Sequence, residues 1–150
     1  EIIVAAMGRF EDDVDVQRAA CYALLNISVN EEASRREAVF AAGGIAAVSG
    51  AMIRFPDDPV MQAIACRVLG GISFNSIPHI RAIASAGCLE LIIAAIDRYA
   101  EDAVAMRDMC ALLYYLGFDG AWTNAWTRLR VMMPARVGGE WIESFVLAID

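Results

Sequence analysis

Two stretches of this chain, residues 7–28 (MGRFEDDVDVQRAACYALLNIS) and 52–73 (MIRFPDDPVMQAIACRVLGGIS), carry one pattern displaced by 45 positions. Eleven of the 22 aligned residues are identical, among them Met7 and Met52, Gln17 and Gln62, and Cys21 and Cys66. A further step of 44 positions gives a third, weaker version: Arg98, Tyr99, Asp102, Cys110, Leu113 and Leu116. A period of this length is typical of arrays in which each unit buries its apolar face against its neighbours.

The last part of each unit is predicted to be a long helix. From Pro59 to Ser73, Ile64, Val68 and Ile72 recur at helical spacing and form an apolar face. Aspartates stand near the predicted starts of these helices, where they accept hydrogen bonds from free amides and favour the positive end of the dipole. They are Asp13, Asp58 and Asp102.

Two shorter helices are predicted to precede each long one. A short helix over residues 34–42 ends at Gly43, a residue suited to a left-handed helix stop, and a middle helix follows from Gly44 to Phe55. The equivalent middle helix runs from Cys88 to Tyr99. The predicted units span about 1–29, 30–74 and 75–117, and a divergent partial unit spans 118–150.

This three-helix unit resembles the armadillo repeat in residues 36–52 (REAVFAAGGIAAVSGAM), with their double glycine, and in residues 18–28 (RAACYALLNIS). The resemblance covers residues 1–117 and implies an all-α fold, a right-handed α-solenoid of about three repeats. It also implies a non-enzymatic scaffold or adaptor that binds a segment of a partner polypeptide along the concave groove of the third helices.

Armadillo proteins that bind extended peptides use a Trp, and an Asn four positions later, on the third helix. In this chain Tyr22 and Asn26 occupy those positions in the first unit, Arg67 and Gly71 in the second, and Ala111 and Tyr115 in the third. Arg18 and Arg107 lie one turn earlier on the same face. The resemblance therefore implies a partner-binding groove that is lined by Arg18, Tyr22, Asn26, Arg67, Arg107 and Tyr115.

The arginines of this groove favour an acidic partner segment, because a guanidinium fork matches a carboxylate. The alternative is that they are solvated or pair with acids of the chain such as Asp15. A second row of arginines, Arg9, Arg54 and Arg98, recurs at the ends of the middle helices with acids just beyond it. We expect salt bridges and helix caps along this edge, and a docking edge for a basic partner is the alternative.

The tail is rich in large apolar residues that fit either core packing or an interface: Trp122, Trp126, Met132, Met133 and Trp141. Neither end of the chain resembles a polar capping repeat, so we expect an excerpt of a longer solenoid or ends covered by another subunit. The alternative function is accordingly a structural subunit of a large assembly, whose tail and ends are buried by other chains.

No catalytic or metal-binding pattern emerges. Cys21, Cys66 and Cys110 are predicted to be small core residues without disulfides, in a reducing intracellular compartment such as the cytoplasm. His79 is predicted to be an ordinary surface residue in a connecting turn, and it is the chain's only histidine. We therefore expect no enzyme, no cofactor and no metal.

The composition narrows the partner class. The hydrophobic share is 59%, and the net charge of −7 comes from 19 acidic residues against 12 basic ones, all arginine. This excludes intrinsic disorder and disfavours a nucleic-acid surface, and the absence of lysine excludes amine chemistry. Residues 38–53 form the longest uncharged stretch, which is shorter than a membrane span, and no signal peptide is expected.

Overall fold

The computed structural model describes residues 1–29, 32–99, 101–102, 105, 109 and 112, which form helices joined by turns and contain no strand. This confirms the all-α prediction. The helices with described bounds are α1 (Ile2–Arg9), α2 (Val14–Ser28), α3 (Ala33–Ala41), α4 (Gly44–Arg54), α5 (Pro59–Ser73), α6 (Ile77–Ser85) and α7 (Cys88–Arg98).

The helices recur as short, middle and long. In the second unit, the short α3 has 9 residues, the middle α4 has 11 and the long α5 has 15. The third unit repeats the first two lengths in α6 and α7, and the first unit contains a middle helix, α1, and a long helix, α2. The predicted short and middle helices of the second unit are each within one residue of the observed bounds.

A left-handed glycine joins each short helix to the following middle helix. Gly43 has φ of 83° and Gly87 has φ of 71°, a region that side-chain-bearing residues rarely adopt. The two helices on either side meet at bends of 64° in the second unit and 73° in the third. The chain therefore turns at the same place in both units.

Helices of the same kind lie beside one another in successive units. The long helix α5 packs along α2, and the middle helix α4 packs beside α1 on one side and α7 on the other. Within a unit, α1 packs on α2 and α4 packs on α5, while the short α3 lies against both long helices. The buried side chains of the described residues form one continuous apolar core.

A buried glutamine links the middle and long helices of each of the first two units. The Nε2 atom of Gln17 donates to the carbonyl oxygens of Met7, at 2.7 Å, and Phe10, at 3.0 Å. Gln62 repeats the arrangement with Met52, at 2.9 Å, and Phe55, at 3.0 Å. Carbonyls in the last turn of a helix have no partner within the helix, so one amide group serves two of them.

We predict that Gln62→Leu destabilises the protein by about 1–3 kcal/mol, because the buried Met52 carbonyl loses its donor. The residue four positions further on is Pro56, which has no N–H to replace it. Urea unfolding followed by circular dichroism measures the effect. Gln17→Leu tests the first unit, where Glu11 has an N–H four positions after Met7 and a smaller loss is expected, and an unchanged midpoint in both variants would contradict this role of the amide.

Candidate functional site

The exposed sides of the two long helices form the candidate binding surface. Tyr22, which is 48% exposed, and Asn26 lie on the open side of α2, and Arg67 lies exposed on α5. These three predicted groove residues are thus accessible on two helices that pack together. We call this surface the long-helix face.

Three further apolar residues extend this face. Val29, Val60 and Phe74 are exposed at 61%, 45% and 44%, and the prediction from sequence omitted them. Each lies seven positions from Tyr22 or Arg67, a spacing that returns a side chain to nearly the same side of a helix. The face therefore carries two rows. One consists of Asp15 and Tyr22 on α2 and Val29 directly after it, and the other consists of Val60 and Arg67 on α5 and Phe74 directly after it.

Arg18 is not a free cation of the groove, contrary to the prediction. Its side chain is 35% exposed, and its guanidinium pairs with Asp58, the residue that caps the start of α5. A second carboxylate oxygen, on Asp15, lies 3.6 Å from its Nη1 atom. Pairing with acids of the chain was the stated alternative, and it prevails because Arg18 faces the N-terminus of the next long helix.

Other predicted site residues lie outside the described residues. These are Arg107 and Tyr115 of the groove, Cys110 of the cysteine row, and the tail residues Trp122, Trp126, Met132, Met133 and Trp141. Their roles stay predictions from sequence.

Gly71, which replaces the second asparagine of the family pattern, lies where the long helices approach closely. A Cβ atom added to Gly71 would lie 2.9 Å from the Cβ atom of Ser28 on α2. Ser28 is buried, and its hydroxyl donates to the carbonyl of Leu24 at 2.8 Å. An asparagine at position 71 would therefore push the two helices apart, so the backbone-binding ladder of the family cannot continue there without a shift.

The predicted row of salt bridges is confirmed at Arg54 and Arg98, where it joins successive units, whereas the contact of Arg9 is with the ring of Phe10, 5.5 Å from its centroid. Arg54 of the second unit contacts Glu11 at 2.6 Å and Asp12 at 2.8 Å in the first. Arg98 of the third unit pairs with Asp57 of the second. These pairs are exposed, so each contributes little stability alone, but together they fix the register of one unit on the next.

His79 is buried, which corrects its prediction as a surface residue. It lies in the first turn of α6 and is 5% exposed, and its ring stacks on Phe40 with centroids 4.2 Å apart. Its Nδ1 atom donates to the carbonyl of Ile72 at 2.9 Å, and its Nε2 atom lies 3.0 Å from Glu37. The ring thus joins α3, α5 and α6, and Pro78 before it was the overlooked sign of a helix start.

The described cysteines are free thiols inside the core. Cys21, Cys66 and Cys88 are fully buried. Burial raises the pKa of Cys21 to about 12. Burial also raises the pKa of Cys88 to about 11, with Glu90 adding to the rise and a hydrogen bond from Ser49 opposing it. Such thiols stay protonated at neutral pH and are poor nucleophiles.

Two features of the described residues bear on other classes of function. His, Cys, Asp and Glu side chains do not gather there in threes that could hold a metal ion. None of the described helices alone is long and apolar enough to cross a membrane. The pairs α3 with α4 and α6 with α7 have a sufficient combined length and apolar composition, but each pair is bent at the glycine between its helices.

No family model, curated protein or solved structure matches this chain. Its function is therefore inferred from its own geometry.

We predict opposite effects for two glycine substitutions. Gly71→Ala destabilises the protein by about 1–3 kcal/mol, because the new methyl group overlaps Ser28. Gly50→Ala, the control, meets nothing within 4 Å, and it stabilises α4 by about 0.5–1 kcal/mol through a smaller loss of backbone entropy on folding. Denaturant unfolding of both variants measures the difference. Equal effects would show that α2 and α5 are not in close contact at this point.

The buried thiols also predict a loss of stability in alkali. An exposed thiol in the unfolded chain ionises near pH 8.5, whereas the pKa of Cys21 is about 12 and that of Cys88 is about 11 in the folded protein. The contribution of these thiols to the free energy of unfolding is complete below pH 8.5 and falls as the pH rises toward their folded-state pKa values. The limiting slope of the free energy of unfolding is about 1.4 kcal/mol per pH unit for each thiol.

Urea unfolding between pH 7.5 and 10.5 measures this slope. Cys21→Ala and Cys88→Ala should each flatten it, because the substituted position no longer titrates. A slope that is the same in the parent protein and in both variants would show that these thiols ionise alike in the folded and unfolded chains.

Proposed function

We propose that this protein is a non-enzymatic interaction scaffold of the armadillo-like kind, a right-handed solenoid that binds a segment of a partner polypeptide along its long-helix face. The repeated order of short, middle and long helices supports the armadillo-like assignment. So do the left-handed glycines Gly43 and Gly87, which precede the middle helices α4 and α7. The packing of α2 along α5 supports stacking of the units.

The observation that carries the proposal is the chemistry of the exposed rows on the two long helices. Tyr22 offers a flat apolar surface, Phe74 is 44% exposed with the Arg36 guanidinium 5.6 Å from its ring centroid, and Arg67 offers an exposed guanidinium fork. Their helices are held by buried glutamines and core packing, so binding costs little ordering of the scaffold. Exposed aromatic and arginine side chains are also the residue types that contribute most to protein interfaces.

The same chemistry defines the partner segment. A carboxylate of the partner pairs with Arg67, and apolar side chains of the partner cover Tyr22 and Phe74. Packed helices lie about 8–10 Å apart, so a segment that crosses from α2 to α5 spans about three residues of extended chain. We therefore propose a segment in which an aromatic or aliphatic residue and an acidic residue are about three positions apart.

The alternative proposal is a structural subunit of a large assembly. Exposed isoleucines outside the long-helix face favour it, namely Ile2 at 87%, Ile53 at 64% and Ile77 at 52%. An obligate subunit aggregates without its partners, whereas a scaffold stays a single soluble species and binds its segment reversibly. Sedimentation of the purified chain distinguishes the two.

We predict that Arg67→Glu weakens binding of short acidic–aromatic peptides by about tenfold or more, because a charge-assisted pair contributes about 1.5–3 kcal/mol and the new carboxylate repels the partner. Fluorescence anisotropy with a labelled set of synthetic peptides measures the affinity. Arg35→Glu is the matched control, because Arg35 is exposed on the short helix α3 and pairs with Glu32 at 2.7 Å.

Binding that is lost only in Arg67→Glu supports the long-helix face as the site. Equal affinity of the parent protein and both variants would exclude Arg67 from the binding surface, and absence of peptide binding by the parent protein would contradict the proposed partner chemistry.

A further inference from the structure

The turn after α5 holds an aromatic side chain in an exposed position. Phe74 follows the helix directly and is 44% exposed. Its ψ of 118° and the φ of 55° at Asn75 are those of a type II turn, and the amide of Ser76 closes this turn by donating to the carbonyl of Ser73 at 3.0 Å. Asparagine tolerates the positive φ that the third position of such a turn requires. The backbone therefore fixes the direction in which Phe74 leaves the helix.

A cation from the short helix α3 lies over this ring. The guanidinium of Arg36 is 5.6 Å from the ring centroid of Phe74, within the range of a cation–π contact. Arg36 is itself partly exposed. We call Arg36 and Phe74 together the aromatic corner. It lies at one end of the long-helix face, because Phe74 ends the row that contains Arg67.

A buried histidine holds the two elements of the aromatic corner together. On α3, Glu37 lies 3.0 Å from the Nε2 atom of His79, and the ring of Phe40 stacks on the imidazole with centroids 4.2 Å apart. The Nδ1 atom of His79 donates to the carbonyl of Ile72 in the last turn of α5. The short helix and the end of the long helix are thus attached to one ring, so a ligand at the aromatic corner meets an arrangement that is already formed.

The packing of the repeat does not explain the two side chains of the aromatic corner. The residue of α6 equivalent to Arg36 is Ile80, 44 positions later, which is 5% exposed in the core. The residue of the first unit equivalent to Phe74 is Val29, which is aliphatic. The repeat therefore requires neither a cation at the first of these positions nor an aromatic ring at the second.

We infer that the aromatic corner is a second acid-binding position of the long-helix face, which takes an apolar side chain of the partner segment on Phe74 and a neighbouring carboxylate of that segment on Arg36. The inference rests on the proposed function of this face, and it adds a second acidic residue to the partner segment. A guanidinium carries five N–H donors, so Arg36 can bind a carboxylate while it keeps its contact with the ring.

The distance within the aromatic corner sets the spacing in the partner. Side chains two positions apart in an extended segment lie on the same side, and each residue advances by about 3.3 Å. Two positions span about 6.6 Å, close to the 5.6 Å between the guanidinium of Arg36 and the ring centroid of Phe74. The second acidic residue is therefore two positions from the apolar residue, because a carboxylate directly beside that residue would lie on the opposite side.

The charge at the other end of the long-helix face favours the same placement. The side chain of Asp15 is 87% exposed at that end. Like charges repel, so an acidic segment is disfavoured near Asp15 and is attracted by Arg67 and Arg36. The acidic residues of the partner therefore lie toward the aromatic corner.

Three synthetic peptides test the inference. Each carries the acidic and apolar residues proposed for the long-helix face, with a leucine for Phe74 three positions from the glutamate for Arg67, because seven residues of helix and three of extended chain both span about 10 Å. The second peptide adds a glutamate two positions beyond the leucine, and the third adds it directly beside the leucine. Fluorescence anisotropy measures their affinities for the parent protein and for the variants Arg36→Gln, Arg35→Gln and Arg67→Glu.

We expect the second peptide to bind the parent protein about fivefold more tightly than the first, the size of a well-placed exposed charge pair, and the third to gain less. Arg36→Gln should abolish the gain and leave the affinity for the first peptide nearly unchanged. Arg35→Gln, the matched control on the same helix, should keep the gain, because Arg35 pairs with Glu32 at 2.7 Å and lies outside the aromatic corner. Arg67→Glu should weaken the first and second peptides by the same factor.

A first peptide that binds, with no gain from the added glutamate, would overturn the inference and leave the proposed function standing. An equal gain in the parent protein and in Arg36→Gln would also overturn it. So would loss of the gain in both Arg36→Gln and Arg35→Gln, since the added glutamate would then respond to net charge alone. Absence of binding by all three peptides would contradict the proposed function together with the inference.

Discussion

The two hydrogen bonds of a buried glutamine amide set the geometry within each of the first two units. Gln17 and Gln62 lie in the first turn of a long helix and donate to carbonyls at the end of the preceding middle helix. A buried carbonyl without a donor is costly, so the angle between the two helices is fixed wherever this amide is present. Because both units obey the same constraint, residues 45 positions apart point in equivalent directions.

Contacts between units depend on this shared geometry. The Arg18–Asp58 pair and the close approach of Gly71 to Ser28 both join α2 to α5, and the Arg54 pairs join the turns on the same edge. Exposed ion pairs contribute little free energy singly, whereas a misplaced Cβ or a shifted register would disturb the buried apolar core. Packing thus supplies most of the stability, and the charges and the glycine select one register.

Features within a unit were predictable from the sequence, and features between units were not. Apolar spacing and the acidic caps gave α5 its observed bounds, and the double glycine located the turn into α4. The identity of neighbours across units has no local pattern, so the Arg18–Asp58 pair and the burial of His79 escaped prediction. Val60 and Phe74 were omitted from the candidate site because a groove defined by resemblance includes only the positions that the family pattern names.

The two related units also differ in an informative way. Several positions that serve packing and capping are identical in both, including Met7 and Met52, Gln17 and Gln62, and Ser28 and Ser73. Positions of the long-helix face differ in every row: Asp15 and Val60, Tyr22 and Arg67, Asn26 and Gly71, and Val29 and Phe74. If this face served only solubility, polar residues of any kind would suffice, and the aromatic and aliphatic side chains on it would carry a cost in exposed apolar area. Two helices that present different side chains at equivalent positions are suited to contacting a partner segment at different points, and this variation on exposed positions supports the proposal that α2 and α5 bind such a segment.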